Sequence, residues 1–196
     1  LFRGAVPLAT APYAVAALSD RARAPDQCVW HADPVHVEIA RDHAALAPLT
    51  APPADDEADA LIDAANALAA AAGAEFQRIG DRWFLRTARE WEIGTKPLAA
   101  ALGRPLHTAR PEGRDAPGWS RLLTEIQMTW HAHPVNEARE ARGEATVNSV
   151  WLHGGGRWAP LARPAFAAVL ADEPEWRGAA QAAAIAASSG SAQAGD

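Results

Sequence analysis

The sequence predicts an α+β domain, a small mixed or antiparallel sheet covered by helices, and three observations carry that reading. Val35, Val37 and Ile39 alternate with His36, Glu38 and Ala40, the period-two pattern of a half-buried strand. Leu61, Ile62, Ala65, Leu68 and Ala69, and later Leu122, Leu123, Ile126 and Trp130, recur at helical spacing. No repeat of roughly 20 to 50 residues and no heptad array is present, which excludes a solenoid and a coiled coil. The order of strand, helix, hairpin, helices, strand and helix suits one sheet covered mainly on one side.

Taken in order, residues 1–28 are rich in Pro and Ala, with a helix expected from about Pro12 to Arg23, and they read as the remnant of a longer N-terminal region because the chain opens on Leu1 rather than Met. A strand follows over Val29 to Arg41, and Pro48 to Pro53 forms a linker. Asp55, Asp56 and Glu57 lead the first amphipathic helix, where carboxylates suit the positive end of the dipole, and Gly73 stops it. Phe76 to Arg86 reads as a hairpin around Gly80-Asp81, with Trp83 and Leu85 on one face. Thr95 is placed to cap a short helix ending near Gly103, and Arg110 to Gly118 reads as a surface loop. The helix from Trp119, capped by Ser120, stops before Pro134, and a second short helix carries Asn136, Arg139 and Arg142 up to Gly143. A strand from Val147 then runs into a Gly154-Gly155-Gly156 loop. Pro160 to Asp172 holds a strand or short helix, and Glu173 to Ala187 an Ala-rich helix. One domain over residues 1–187 and a disordered tail over 188–196 are expected.

A chain of 196 residues can bury a stable core as one domain. Its net charge of -6, with the signs interspersed, argues against a nucleic-acid surface, which needs a basic stripe. No run of apolar residues is long enough to span a bilayer, so neither nucleic acid nor membrane is expected as a partner. The single Cys28 excludes an internal disulfide and a multi-thiolate metal site, and it fits a cytoplasmic protein. Eight tryptophans point first to core and rim packing.

The densest chemistry lies between His133 and Arg157. Arg139 and Arg142 present planar forks suited to carboxylate or phosphate, and the glycine run lets backbone N–H groups approach a ligand. The candidate ligand-binding set is therefore His133, Asn136, Arg139, Asn148, Gly154, Gly155, Gly156 and Arg157. For a metal, His31, Asp33 and His36 form one weak candidate group, and His131, His133 and His153 another. Spacing opposes both, because residues two apart on a helix diverge and His36 lies across a strand from His31 and Asp33. Glu125 is a candidate base only if buried beside an arginine. Acyl transfer has no support: no Gly-x-Ser-x-Gly occurs, and no catalytic residue is assigned.

The segments Trp30-His31-Ala32-Asp33-Pro34-Val35-His36, Arg82-Trp83-Phe84-Leu85 and Leu123-Thr124-Glu125-Ile126-Gln127-Met128, with the stretch from His133 to Arg157, resemble the bacterial RpfE-like regulatory proteins, a family related to cofactor-independent phosphoglycerate mutases. A narrower set is similar to the archaeal-type mutases: His133-Pro134-Val135-Asn136, Arg139, Gly143, Asn148, Trp151 and the glycines with Arg157. That resemblance implies relatives that move phosphate through a seryl nucleophile beside two metals held by Asp and His. This chain contains no Asp-Gly dipeptide and no Asp/Ser motif onto which that machinery maps. The resemblance then implies a non-catalytic domain that binds a small phosphorylated or carboxylated metabolite in a regulatory role, with no cofactor. Two alternatives stand beside it. One is a Mn- or Zn-dependent mutase or phosphatase completed by residues upstream, and the other is a protein-interaction module with a protein partner or a homo-oligomeric state.

Overall fold

The computed structural model describes residues 9–19, 26–39, 43–47, 49–165 and 167–189. Expectations for 20–23 and for the tail beyond Ser189 lie outside the described residues. Helix α1 (Thr10–Leu18) is followed by the long strand β1 (Cys28–Ile39), β2 (Ala44–Ala47), α2 (Asp55–Ala69), β3 (Ala74–Ile79) and β4 (Arg82–Thr87). Then come α3 (Leu98–Ala101), a 3-10 turn at Leu106–Ala109, α4 (Ala116–His131), α5 (Pro134–Ala141), β5 (Ser149–Arg157), β6 (Ala168–Leu170), α6 (Pro174–Ala182) and β7 (Ala186–Ser188).

The main sheet is antiparallel and organised around β1, which pairs with β4 through Cys28 to His31, with β2 through His36 to Ile39, and with β5 through Cys28 to Val35. Strand β3 completes it on β4, joined by the two-residue turn at Gly80-Asp81, where Gly80 takes the left-handed φ of 63°. Strand alternation then assigns the faces. Cys28, Trp30 and Ala32 of β1, with Trp83 and Leu85 of β4, enter a core shared with Leu61, Ile62 and Ala65 of α2 and Trp119, Leu122, Ile126 and Trp130 of α4. Val29 and Phe84 point the other way and are covered by Ala11, Ala14 and Val15 of α1.

Helix α1 therefore packs as part of the fold, and the sheet is covered on its second face too. Helix α6 packs on α1 so closely that a Cβ at Gly178 would collide with the Tyr13 carbonyl. In the main core, Trp130 meets Trp83 edge to face at 6.0 Å and donates its indole N–H to Leu61 O at 3.0 Å, which satisfies its one polar atom. Asn66 of α2 clamps Phe76 of β3, its amide bonding both the N–H and the carbonyl.

Four local expectations change. Helix α4 begins at Ala116, ahead of Ser120, because Pro117 sits in the first turn, where no backbone N–H is required. Thr95 caps nothing; the N-cap of α3 is Pro97. The glycine run is strand and not loop, because Gly154 to Gly156 continue β5 alongside β1. The Ala-rich segment stops being helical at Ala182, and Ala186–Ser188 pair in parallel with Ala168–Leu170, so the first residue of the expected tail is ordered.

Candidate functional site

The residues singled out between His133 and Arg157 do not form one cleft. His133 is the N-cap of α5, its Nδ1 accepting from Val135 N–H at 3.2 Å. Asn136, buried, donates to Trp130 O and Val147 O and accepts from Val147 N–H, tying α4 to the entry of β5. Arg139 is 0% exposed and reaches Glu57 Oε2 at 2.7 Å, Ala51 O at 2.7 Å and Ala145 O at 2.9 Å. Arg142 pairs with Glu57 and Glu144. Asn148 Oδ1 accepts from Val37 N–H at 2.7 Å while its Nδ2 donates to Val37 O at 2.9 Å. These donors that looked available to an anion are committed to internal partners, as buried polar groups must be.

The glycines lie at the other end of β5, about six to eight strand residues and roughly 20 to 26 Å from Asn148. A Cβ at Gly154 would strike the Thr10 hydroxyl, one at Gly155 the Trp30 ring, and one at Gly156 the Ala9 methyl. They make room for α1 and an indole at the bulge between Val29 and His31. Arg157 donates to the Asp26 carbonyl beside them.

The fold does bring His31, Asp33 and His153 together. His153 Nε2 lies 2.7 Å from Asp33 Oδ2, and the His31 and His153 rings stack at 4.7 Å and 20°. Stacked rings send their in-plane lone pairs along parallel directions instead of to one point, which opposes a shared ion. No group of three His, Cys, Asp or Glu side chains suited to a metal occurs among the described residues. Burial, reinforced by the neighbouring His153, lowers the His31 pKa to about 4, so the ring is neutral near pH 7. His131 ends α4, exposed and away from this cluster, and His36 bonds Thr146 O at 2.8 Å. Glu125 stands exposed on α4, without the burial that a base would need.

A different feature was missed. Between the outer end of the sheet, α4 and the segment 96–111 lies a cleft of about 620 Å³. Leu46, Leu106, Leu123 and Trp151 supply apolar walls, Gln127 and Ser149 a polar patch, Arg110 a cationic group and His107 an imidazole. Gln127 Nε2 donates to Ser149 Oγ at 2.9 Å. The segment is strapped in place by Lys96 Nζ donating to Thr108 O at 2.6 Å and by Trp151 Nε1 donating to Lys96 O at 2.9 Å. Among the described residues, no Asp or Glu lines the cleft. One signal for it was present: residues 96–111 hold Lys96, Arg104, His107 and Arg110 and no acid, in a chain of net charge -6. A volume in the range of small-molecule sites, mostly apolar with a few polar groups, is the form such sites take.

No family model matches the chain, and no curated protein matches it. Among solved structures it is similar to the cofactor-independent phosphoglycerate mutase of Thermoplasma acidophilum DSM 1728, at 17% identity and a TM-score of 0.55, over 91% of this chain and 51% of that one. It is also similar to the PH0037 protein of Pyrococcus horikoshii, at 15% identity and a TM-score of 0.51, over 92% of this chain and 42% of that one. The chain spans about half the length of these structures or less, and the likeness is one of fold: phosphoglycerate-mutase-like, α+β.

Proposed function

We propose that this chain is a non-catalytic metabolite-binding domain on a phosphoglycerate-mutase-like fold, holding a small phosphorylated or carboxylated molecule in the acid-free cleft and serving a regulatory role of the RpfE-like kind. The observation that carries this reading is the charge of the cleft. Arg110 and His107 line it and, among the described residues, no carboxylate does, although Asp and Glu outnumber Lys and Arg 24 to 18 in the chain. A guanidinium without an acidic partner in a half-apolar cavity favours an anion, since an Arg–carboxylate or Arg–phosphate pair is charge-assisted and bidentate. The site thus keeps the chemistry expected from the sequence while moving it from Arg139 to Arg110.

Thermal unfolding across a panel of phosphorylated and carboxylated metabolites tests this. A ligand at a hundredfold excess over its Kd stabilises by about 2.7 kcal/mol, a rise of roughly 5 to 10 °C for a chain of this size. The rise should vanish in Arg110→Ala and persist in Arg157→Ala. No rise with any anion would remove the reading.

A second reading, a metal-dependent mutase or phosphatase completed by further chain, is favoured by the match to about half of the Thermoplasma enzyme. It requires stoichiometric Mn or Zn in the protein and turnover abolished by EDTA. A metal-free, inactive protein that binds anions would decide for the first reading.

A further inference from the structure

We infer that the cleft selects a carboxylate with an apolar or aromatic body and a hydroxyl, with Gln127 and Ser149 as the specificity-determining pair; this rests on the reading of the cleft as an anion site.

Three parts of one cavity carry the argument. Arg110, with His107, supplies the acid-binding end, for which a single guanidinium fork matches a single carboxylate. Trp119, Trp151, Leu106 and Leu123 supply walls that reward apolar area and offer nothing to a polyol. A small, densely charged sugar phosphate would leave its own hydroxyls unpaired against those side chains, a direct cost in binding.

The third part is the Gln127–Ser149 pair. With Gln127 Nε2 donating to Ser149 Oγ, the Gln127 carbonyl oxygen and the Ser149 hydroxyl hydrogen have no partner among the described residues. Ser149 is only 3% exposed, so its unused donor is buried at the cleft wall. One acceptor and one donor held side by side match a hydroxyl, which both donates and accepts. A site built to bond a ligand hydroxyl discriminates against the analogue that lacks it, because its own polar groups are then left unpaired.

Trp119 and Trp151 make binding visible as a change in tryptophan emission excited at wavelengths where a phenyl ring is transparent. The probes are phenyllactate, 3-phenylpropionate, 3-phenylpropane-1,2-diol and 3-phosphoglycerate, each titrated into the intact chain. Phenyllactate should saturate, 3-phenylpropionate should bind about tenfold more weakly for the lost hydrogen bonds, and the diol should lose most affinity. Gln127→Ala should bring phenyllactate down to the level of 3-phenylpropionate and leave 3-phenylpropionate unchanged, an effect that general loosening of the fold would not produce. Equal affinity for phenyllactate and 3-phenylpropionate overturns the role of the pair. Saturation by 3-phosphoglycerate alone, lost in Arg110→Ala, overturns the ligand class while leaving the anion site standing. Failure of all four probes, together with failure of the wider anion panel, overturns both.

Discussion

Asn148 occupies the position of a strand residue opposite Val37: its side-chain amide makes both hydrogen bonds that a neighbouring backbone would, at 2.7 and 2.9 Å. The β1–β5 ladder ends at Val35 and Ser149, so this amide extends the pairing by one residue where the chain has already turned toward α5. Asn148→Ala should cost about 2 kcal/mol for the two bonds, lowering the melting temperature by roughly 4 to 8 °C. Anion binding in the cleft should persist. A variant that melts like the parent but no longer binds would return Asn148 to the ligand site.

Arg139 should behave as a structural cation. Its guanidinium bonds Glu57 and the carbonyls of Ala51 and Ala145, joining α5 to the start of α2 and the linker before it. Truncating one partner of a buried pair leaves uncompensated polar groups, so Arg139→Ala should destabilise by about 3 to 5 kcal/mol in urea unfolding. Arg142→Ala, at the exposed edge of the same network, should cost far less than Arg139→Ala.

The His31 ring is buried neutral, with its pKa lowered from 6.5 to about 4. In the interval between those values the unfolded chain binds a proton that the folded chain refuses. Stability is therefore full above the ordinary histidine pKa and falls as pH drops from about 6.5 to about 4, by on the order of 3 kcal/mol. Asp115, held well below the usual carboxylate range by Arg89 and by the Glu92 N–H, acts only at lower pH and does not confuse the window. Urea unfolding at pH 7 and pH 4.5 should show the loss, and His31→Phe should flatten it. A slope unchanged by that substitution would assign the titration elsewhere.

Two glycines should respond in opposite directions. At Gly155 a methyl group would meet the Trp30 ring inside the core, and Gly155→Ala should destabilise by about 2 kcal/mol or more through overpacking. Gly118 lies in the first turn of α4 with nothing near its Cβ position, and Gly118→Ala should stabilise by up to about 1 kcal/mol. Chemical denaturation of both variants checks the pair.

Much of the architecture was legible because it depends on local periodicity. Val35 and Val37 marked β1, although Ile39 at its end is 91% exposed, Leu122, Ile126 and Trp130 marked the buried side of α4, and Gly80-Asp81 marked the hairpin turn. The α1 contribution was less visible. Its buried residues, Ala11, Pro12, Tyr13, Ala14 and Val15, are consecutive and leave no periodic stripe, and the Gly154–Gly156 run that admits it reads locally as a loop.

The candidate site separated along the same line. The sequence by itself determined that arginines, asparagines and glycines cluster between His133 and Arg157, and that this cluster matters to the chain. Which of those groups face solvent is a tertiary property, because a donor is available to a ligand only if no backbone carbonyl or carboxylate reaches it first. Folding brought Glu57 and the Ala51 carbonyl, some 80 residues upstream, onto Arg139, and Val37 onto Asn148. It also left Arg110 in a cleft lined, among the described residues, by no carboxylate, which spacing along the chain could not reveal.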